Sequence, residues 1–512
     1  MSDALLPALI QQMLQPEFYP HPVTQPVELI QTHVSYVLLT GEYVYKVKKP
    51  VNFGFLDFST LEKRRHFCQE ELRLNQRGAA ELYLEVIPLT QTAERFHLGG
   101  EGEAVEYCVK MQQFPQAALL TEVYDRGELT GELLERLAEV LAQFHQKAAI
   151  NDYIRSFGRV SQIRQAIDEN YEQTQKYIGG PQTQQQFEQT RAYTDRLFAE
   201  RETLFNHRID QDMIRECHGD VHLRNIALWQ NKILLFDCIE FNEPFRFVDV
   251  MFDIAYIIMD LDFRERRDLS NLFLNAYIEQ MGDWEGLQVL PLYLSRQSYV
   301  RAKVTSFLLD DPSVPQSVKQ ECSKTAARYY QLAWEYTRSQ QGRLILMAGL
   351  SGAGKSTAAR HLARKLGAVH IRSDAVRKHL AGVPLTKRAG AEVYSPEMNQ
   401  KTYDRLLSLG ITLATQGYSV ILDAKYDRQQ LRQAVIAQTE AHQLPLHICH
   451  CTAPIAILQE RLQTRNGDIS DATADLLAKQ QMEPFTDIEQ PHVLSLDTTR
   501  DLDSQWRCRM EV

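Results

Sequence analysis

Eight consecutive residues, Gly349-Leu350-Ser351-Gly352-Ala353-Gly354-Lys355-Ser356, satisfy the pattern G-x-x-x-x-G-K-[S/T] at every fixed position. Glycines at these places let successive backbone N–H groups wrap a β-phosphate, and a helix entered from Thr357 adds the positive end of its dipole. Lys355 can then reach the β- and γ-phosphates, and the Ser356 hydroxyl can ligate Mg2+. Nucleotide contacts are therefore expected from Gly349, Ser351, Gly352, Ala353, Gly354, Lys355, Ser356 and Thr357. A second stretch, His218-Gly219-Asp220-Val221-His222-Leu223-Arg224-Asn225, places an aspartate five residues before an asparagine. At that spacing the carboxylate can take the proton of an acceptor hydroxyl while the amide oxygen holds a metal. Two short strand patterns, Ile226–Trp229 and Lys232–Phe236, turn through Gln230-Asn231 and return Asp237 beside Asn225. Side by side, those two oxygens make a seat for Mg2+. Far upstream, Lys46 on a strand can pair with Glu71 or Glu70 on a helix; Lys48, on the same strand face, competes for that pairing.

Around the glycine-rich loop, further polar groups fall at the ends of apolar strand patterns. Ile371-Arg372-Ser373-Asp374-Ala375-Val376-Arg377 leaves a strand and enters a helix, and Ser419-Val420-Ile421-Leu422-Asp423 ends in a carboxylate. In an open α/β sheet the carboxyl ends of the strands line the ligand crevice, so Asp374 and Asp423 are expected to face the phosphates. Arg461 and Arg465 lie four apart, on one helical face. Each of these has a plainer reading: Asp374 as a helix cap, Asp423 as a structural carboxylate, the two arginines as solvated helix surface. The run His447-Ile448-Cys449-His450-Cys451 resembles a metal cluster only on paper, because neighbours along one strand rarely close a tetrahedral site; it reads as a core strand.

The elements that must position these groups follow from periodicity. Strands are expected at Val34–Leu39 and Tyr43–Val47 around Thr40-Gly41-Glu42, and again at Leu84–Leu89 and Ala104–Gln112. Ser59 to Glu62 has capping-box spacing and opens a helix to about Arg77. The stretch from Gly131 to about Asp212 is mostly helical, broken at Gly179-Gly180-Pro181, and helices resume from about Val250 to Ser339. At Arg343 the pattern changes to short buried strands alternating with helices.

A chain of 512 residues exceeds one hydrophobic core. The change of pattern divides it into domains 1–340 and 341–512. The net charge of −10 is uneven: from 341 onward 21 basic residues face 18 acidic ones, leaving 35 against 48 in the first 340. An acidic majority argues against general nucleic-acid binding. No run of eighteen apolar residues appears, so no membrane span is expected, and Met1-Ser2-Asp3-Ala4 does not open like a secretory signal. Eight scattered cysteines fit a reducing cytoplasm.

Residues 340–500 resemble the small P-loop kinases of the polynucleotide-kinase, gluconate-kinase and zeta-toxin type. That resemblance implies an α/β P-loop NTPase domain with a parallel sheet. It also implies Asp374 as general base, Arg377 on the substrate, Asp423 organising Mg2+ or its water, and Arg461 and Arg465 closing on the transferring phosphoryl group. Residues 30–335 resemble the aminoglycoside-phosphotransferase-like kinases, whose loop reads H-G-D-x-H-x-x-N. Here the implied fold is an α+β protein-kinase-like domain of two lobes. Carried over, Asp220 is the base, Asn225 and Asp237 bind metal, and Lys46 binds phosphate with Glu71 as its partner. Asp249 and Asp253, matching D-x-x-x-D-[I/L]-A, would support the loop from the next helix. This sequence departs from the pattern in lacking G-x-G-x-x-G before Lys46 and in carrying Cys238 after Asp237.

The expectation is an ATP- and Mg2+-dependent phosphotransferase with two nucleotide sites acting on a hydroxyl of a small molecule. Two alternatives stay open. The C-terminal domain could act on nucleic-acid ends, a reading its charge permits without favouring. The N-terminal domain could be an inactive pseudokinase in a regulatory ATPase switch. Neither acceptor nor oligomeric state is legible.

Overall fold

A computed structural model describes residues 6–93, 95–464, 469, 477 and 480–507. The chain divides into two compact units. One comprises Met1–Thr130, Gln143–Asp260 and Tyr293–Ala333; the other comprises Gly131–Ala142, Leu261–Leu292 and Trp334–Val512.

The first unit is built on a six-stranded antiparallel sheet: β1 (Glu28–Gln31), β2 (Ser35–Leu39), β3 (Tyr43–Lys48), β4 (Tyr83–Thr92), β5 (Arg95–Leu98) and β6 (Ala104–Gln112), in the order β1-β2-β3-β6-β4-β5. Strand periodicity of two sorts the side chains of β3. Tyr45 and Val47 join one core cluster with Ile10, Leu38 and Cys108. Val44 packs into a second cluster, with Cys68, Tyr83 and Val109, on the face covered by helix α1 (Leu61–Ala79). Lys46 and Lys48 share that second face with the helix that carries Glu71. The cap of α1 differs from expectation by one residue. Thr60 accepts from the Lys63 N–H, whereas Ser59 is held by Asp57, to which its hydroxyl donates at 2.6 Å.

The expected helical stretch contains helices Gly131–Lys147, Asp152–Ser156, α2 (Val160–Thr174), Gln184–Glu200 and Glu202–Asp210. Next, β7 (Ile214–Glu216) leads to the hairpin β8 (Ile226–Trp229) and β9 (Lys232–Leu235), and β10 (Phe247–Asp249) returns antiparallel to β7. Gln230 and Asn231 both have positive φ, 49° and 61°, as a two-residue hairpin turn demands. Helices α3 (Val250–Phe263) and α4 (Leu290–Asp310) follow.

In the second unit a parallel sheet runs β12-β13-β11-β14-β15, from β11 (Arg343–Ala348), β12 (Val369–Arg372), β13 (Ser419–Asp423), β14 (Leu446–Thr452) and β15 (Val493–Asp497). Every residue from Leu344 to Ala348 is buried, as expected of a central parallel strand. Helices α5 (Lys355–Leu366), α6 (Ser373–Leu380), α7 (Pro396–Ala414) and α8 (Ile455–Thr464) connect or flank the strands. Helix Arg267–Met281 belongs to this unit and covers the outer edge of β12. Asn271 and Asn275 each donate to the Ala368 carbonyl at 3.0 Å, and Asn275 accepts from the His370 N–H at 2.7 Å. Among the described residues no helix is long and apolar enough to cross a membrane.

Candidate active sites

In the first unit five charged side chains meet above β3. Lys46 lies 2.8 Å from Glu71 and donates to Asp237 at 2.9 Å. Lys48 is 1% exposed and donates to the other Glu71 oxygen at 2.6 Å and to Glu240. Glu70 is not part of this group: Arg73 holds it at 2.8 Å. Burial alone would lower the Lys46 pKa, but Asp237 and Glu71 raise it well above the ordinary value. Lys46 in turn holds Asp237 below the usual carboxylate range, against burial. Asp237 has φ of 63°, a left-handed conformation that costs energy in any residue with a Cβ and clusters at functional sites.

The His218–Asn225 loop is fixed from below. Asp253 on α3 accepts from the backbone N–H of His218 at 2.7 Å and of Gly219 at 2.8 Å, and it contacts His145 at 3.0 Å. Gly219 has φ of 89°, and a Cβ there would stand 2.7 Å from the Phe245 carbonyl, so only glycine fits. Asp249 corrects the expectation drawn for it. It lies on β10 rather than on the helix, pairs with the buried Arg208 at 2.7 Å, and makes no hydrogen bond to the loop among the described residues. Within the loop, Asn225 Nδ2 donates to the Asp220 carbonyl at 3.0 Å, and the Phe236 N–H donates to the Asn225 carbonyl at 3.1 Å. The hairpin thereby brings Asn225 and Asp237 to one end. Burial tends to raise the Asp220 pKa, but His222, 3.5 Å away, with His218 and Arg301, brings it below the ordinary range. These donors fit a divalent cation with a polyphosphate: carboxylate and amide oxygens converge, and a lysine stands beside them.

In the second unit the loop after β11 turns through Gly349, Gly352 and Gly354, with φ of 138°, 81° and 80°. A Cβ at Gly349 would meet the Cys451 carbonyl at 2.4 Å, and one at Gly352 the Leu458 carbonyl at 2.6 Å. Gly354 caps α5 without a side chain, so the first-turn N–H groups are open to an anion. Lys355 donates to the Leu350 carbonyl at 2.9 Å; burial lowers its pKa, although Asp423 works the other way. Gln480 accepts from the Ser351 N–H at 3.0 Å and donates to its hydroxyl at 3.1 Å. Ser356 and Thr357 stand on the first turn of α5. Backbone donors, a lysine and a strand-end carboxylate fit a nucleotide phosphate chain with its metal.

Asp423, at the end of β13, is buried and faces His370 Nε2 at 3.0 Å. Burial would raise its pKa, but His370, then Arg372 and the Ser356 hydroxyl, hold it down to about 2. Asp374 is the second residue of α6 and is half-buried; it is close enough to Lys355 to influence its charge. Arg377 is buried, donates to Asn399 and lies 5.0 Å from the Tyr394 ring; its Nε has no hydrogen-bond partner among the described residues. Arg461 donates to Thr498 Oγ1 at 2.8 Å, to the Thr498 carbonyl at 3.0 Å and more weakly to the Gly352 carbonyl at 3.4 Å, so in this structure it braces the loop. Arg465 lies outside the described residues. Cys449 and Cys451 are buried in the sheet core, consistent with a core strand.

Sequence reasoning missed Glu240, His370, His145 and Gln480. Glu240 and His370 carried a signal nonetheless: each is an ionisable residue in an apolar run.

A family model described as "Phosphotransferase enzyme family" matches residues 89–290, and one described as "AAA domain" matches residues 344–484. The chain is a phosphotransferase with a kinase-like domain followed by a P-loop kinase domain. It is 31% identical over 466 residues, 90% of this chain and 90% of theirs, to Uncharacterized protein Rv2004c of Mycobacterium tuberculosis (strain ATCC 25618 / H37Rv) and to Uncharacterized protein Mb2027c of Mycobacterium bovis. It belongs to their family. Similar solved structures include a choline/ethanolamine kinase family protein from Mesorhizobium loti (12% identity, 64% of this chain and 100% of that one, TM-score 0.37). Another is a sugar kinase from Janibacter sp. HTCC2649 (19% identity, 33% of this chain and 91% of that one, TM-score 0.25).

Proposed function

We propose that both units are ATP- and Mg2+-dependent, each transferring the γ-phosphoryl group to a hydroxyl of a small molecule. The observation that carries this is the convergence of Lys46, Glu71, Asn225 and Asp237 beside Asp220, repeated in different chemistry by Lys355, Ser356 and Asp423 beside Asp374. In the first unit Asp220 accepts the acceptor proton, Asn225 and Asp237 supply metal oxygens, and Lys46 steadies phosphate while Glu71 fixes Lys46. In the second, the Gly349–Thr357 loop and Lys355 hold the phosphates, Ser356 and Asp423 face the metal, Asp374 is the base and Arg377 orients the acceptor. Arg461 and Arg465 belong to the same phosphoryl-handling set. Bound Mg2+ supplies charge neutralisation of the phosphate oxygens. Positioning and electrostatics are most of what phosphoryl transfer requires of a protein. The domains acting this way are 1–340 and 341–512, and the protein is cytoplasmic.

Full-length Asp220→Asn and Lys355→Ala variants, assayed with γ-labelled ATP against a panel of hydroxylated acceptors, test the proposal. Each variant should lose one set of labelled products and keep the other. If every product survives Asp220→Asn undiminished, the first unit has no catalytic role.

A further inference from the structure

Asp220 has two sets of neighbours. One is the nucleotide set of Asn225, Asp237 and Lys46. The other leads through His222 to the Tyr256 ring at 6.4 Å, from Tyr256 to Phe252 at 5.8 Å, and from Phe252 to the Arg296 guanidinium, 4.6 Å from the ring centroid. Arg296 lies on α4, as do Arg301 and Lys303, and all three are half-buried.

Their partners are neutral. Arg296 donates to Gln297 Oε1 at 3.1 Å, Arg301 packs 6.0 Å from the Tyr329 ring, and Lys303 donates to Asn170 at 2.6 Å and Gln173 at 3.0 Å on α2. None of the three makes an ion pair among the described residues. The carboxylates whose charge reaches them are Asp220 and Asp260 for Arg301, and Glu169 for Lys303. Among the described residues Arg296 has two tyrosines, Tyr256 and Tyr293, and no carboxylate as electrostatic neighbours; burial lowers its pKa, and burial with the Arg296 charge lowers that of Lys303 to about 8.

Cations withdrawn from water are normally matched by carboxylates, because desolvation without compensation is unfavourable. Arg301, whose charge reaches Asp220, stands with Arg296 and Lys303 on one helix, an arrangement that an incoming anion would complete. Guanidinium forks bind planar or tetrahedral oxyanions through paired N–H bonds. Resting on the phosphotransferase reading of this site, we infer that the acceptor of the first unit is a hydroxylated small molecule carrying a phosphate, carboxylate or sulfate group, held by Arg296, Arg301 and Lys303. In the transfer, the acceptor oxygen bonds to the γ-phosphorus, the bond from that phosphorus to the β–γ bridging oxygen breaks, ADP leaves, and Asp220 takes the hydroxyl proton. The anionic group serves as a handle and is unchanged.

The test uses full-length Lys355→Ala protein, so that products come from the first unit, with γ-labelled ATP and matched acceptors: glycerol against glycerol 3-phosphate, glucose against glucose 6-phosphate and gluconate, and a polycationic aminoglycoside. Anionic acceptors should be labelled at least tenfold more efficiently than their neutral partners. Arg296→Gln and Arg301→Gln should each raise the acceptor KM tenfold or more and leave the ATP KM unchanged, and Arg301→Lys should recover part of the loss. Preference for the neutral or cationic acceptors overturns the inference.

Sulfate supplies a readout that needs no turnover. In saturating AMP-PNP and Mg2+, sulfate at constant ionic strength should raise the melting temperature of the parent protein and not that of an Arg296→Gln/Arg301→Gln variant. An equal rise in both overturns the inference. Nucleotide binding to the Lys355→Ala protein that is indifferent to Asp237→Asn would instead remove the phosphotransferase reading, leaving the sulfate result to stand or fall by itself.

Discussion

The two sites prepare for the same anion by opposite means. In the first unit Lys46 and Lys48 are already neutralised by Glu71, Asp237 and Glu240, so the charged groups hold one another in place. In the second, Lys355 rests on a backbone carbonyl, the loop presents N–H dipoles, and the nearby carboxylate is tied to a histidine. A compensated cluster gains rigidity from its own ion pairs, and a ligand must compete with them. A dipolar cradle keeps its charge in reserve and gains its compensation from the ligand.

The largest effects should come from the proton-accepting and phosphate-holding groups. Asp220→Asn is expected to lower transfer in the first unit by on the order of 100- to 10,000-fold, and Lys355→Ala to lower transfer in the second by on the order of 100- to 1,000-fold. Product-resolved steady-state kinetics on the full chain measure both.

Stability should separate the sites more sharply than activity does. Lys48→Met leaves buried Glu71 and Glu240 without their shared cation and should destabilise the first unit by about 3–5 kcal/mol. Lys355→Met removes a desolvated lysine that makes no ion pair among the described residues and should change stability by less than about 1 kcal/mol. Denaturant titrations of both variants decide this; equal losses would end the distinction between compensated and reserve charge.

A smaller effect concerns His370. The Asp423 pKa is depressed from 3.8 to about 2, so its contribution is present above about pH 4 and is lost as pH falls toward 2. At 1.36 kcal/mol per unit this is about 2 kcal/mol. His370→Ala should remove most of it and flatten the acid limb of the stability profile.

The smallest effect should appear at Lys303, which faces Arg296, Glu169, Asn170, Gln173 and the Phe307 ring. Raising pH through about 8 removes its proton, so the sulfate-induced rise in melting temperature should correspond to roughly two- to fivefold weaker binding at pH 9 than at pH 7.

The glycine-rich loop was legible because its chemistry is local: eight adjacent residues and one following helix suffice. Asp220, Asn225 and Asp237 were legible for the same reason, joined by one hairpin. For the Lys46–Glu71 pair, strand and helix periodicity left Lys48 and Glu70 as alternatives, and the kinase resemblance chose between them. What escaped depends on packing between distant segments. Lys48 and Glu240 are 192 positions apart, and His370 and Asp423 are 53 apart, with nothing in either neighbourhood naming the other. The individual groups of the proposed acceptor side escaped, because helix α4 shows its cations as an ordinary charged face until burial sets apart Arg296, which has no carboxylate among its electrostatic neighbours in the described residues.

Strand β12 is the outermost of its sheet, and its free side is satisfied by side-chain amides from Asn271 and Asn275. A fragment beginning at residue 341 would retain every phosphate-binding group of the second unit and lose those two asparagines. Its uncovered N–H and C=O groups would then offer a template to the next molecule, as bare sheet edges do. Such a fragment should self-associate in a concentration-dependent way during sedimentation, whereas the full chain, which keeps both asparagines, should not.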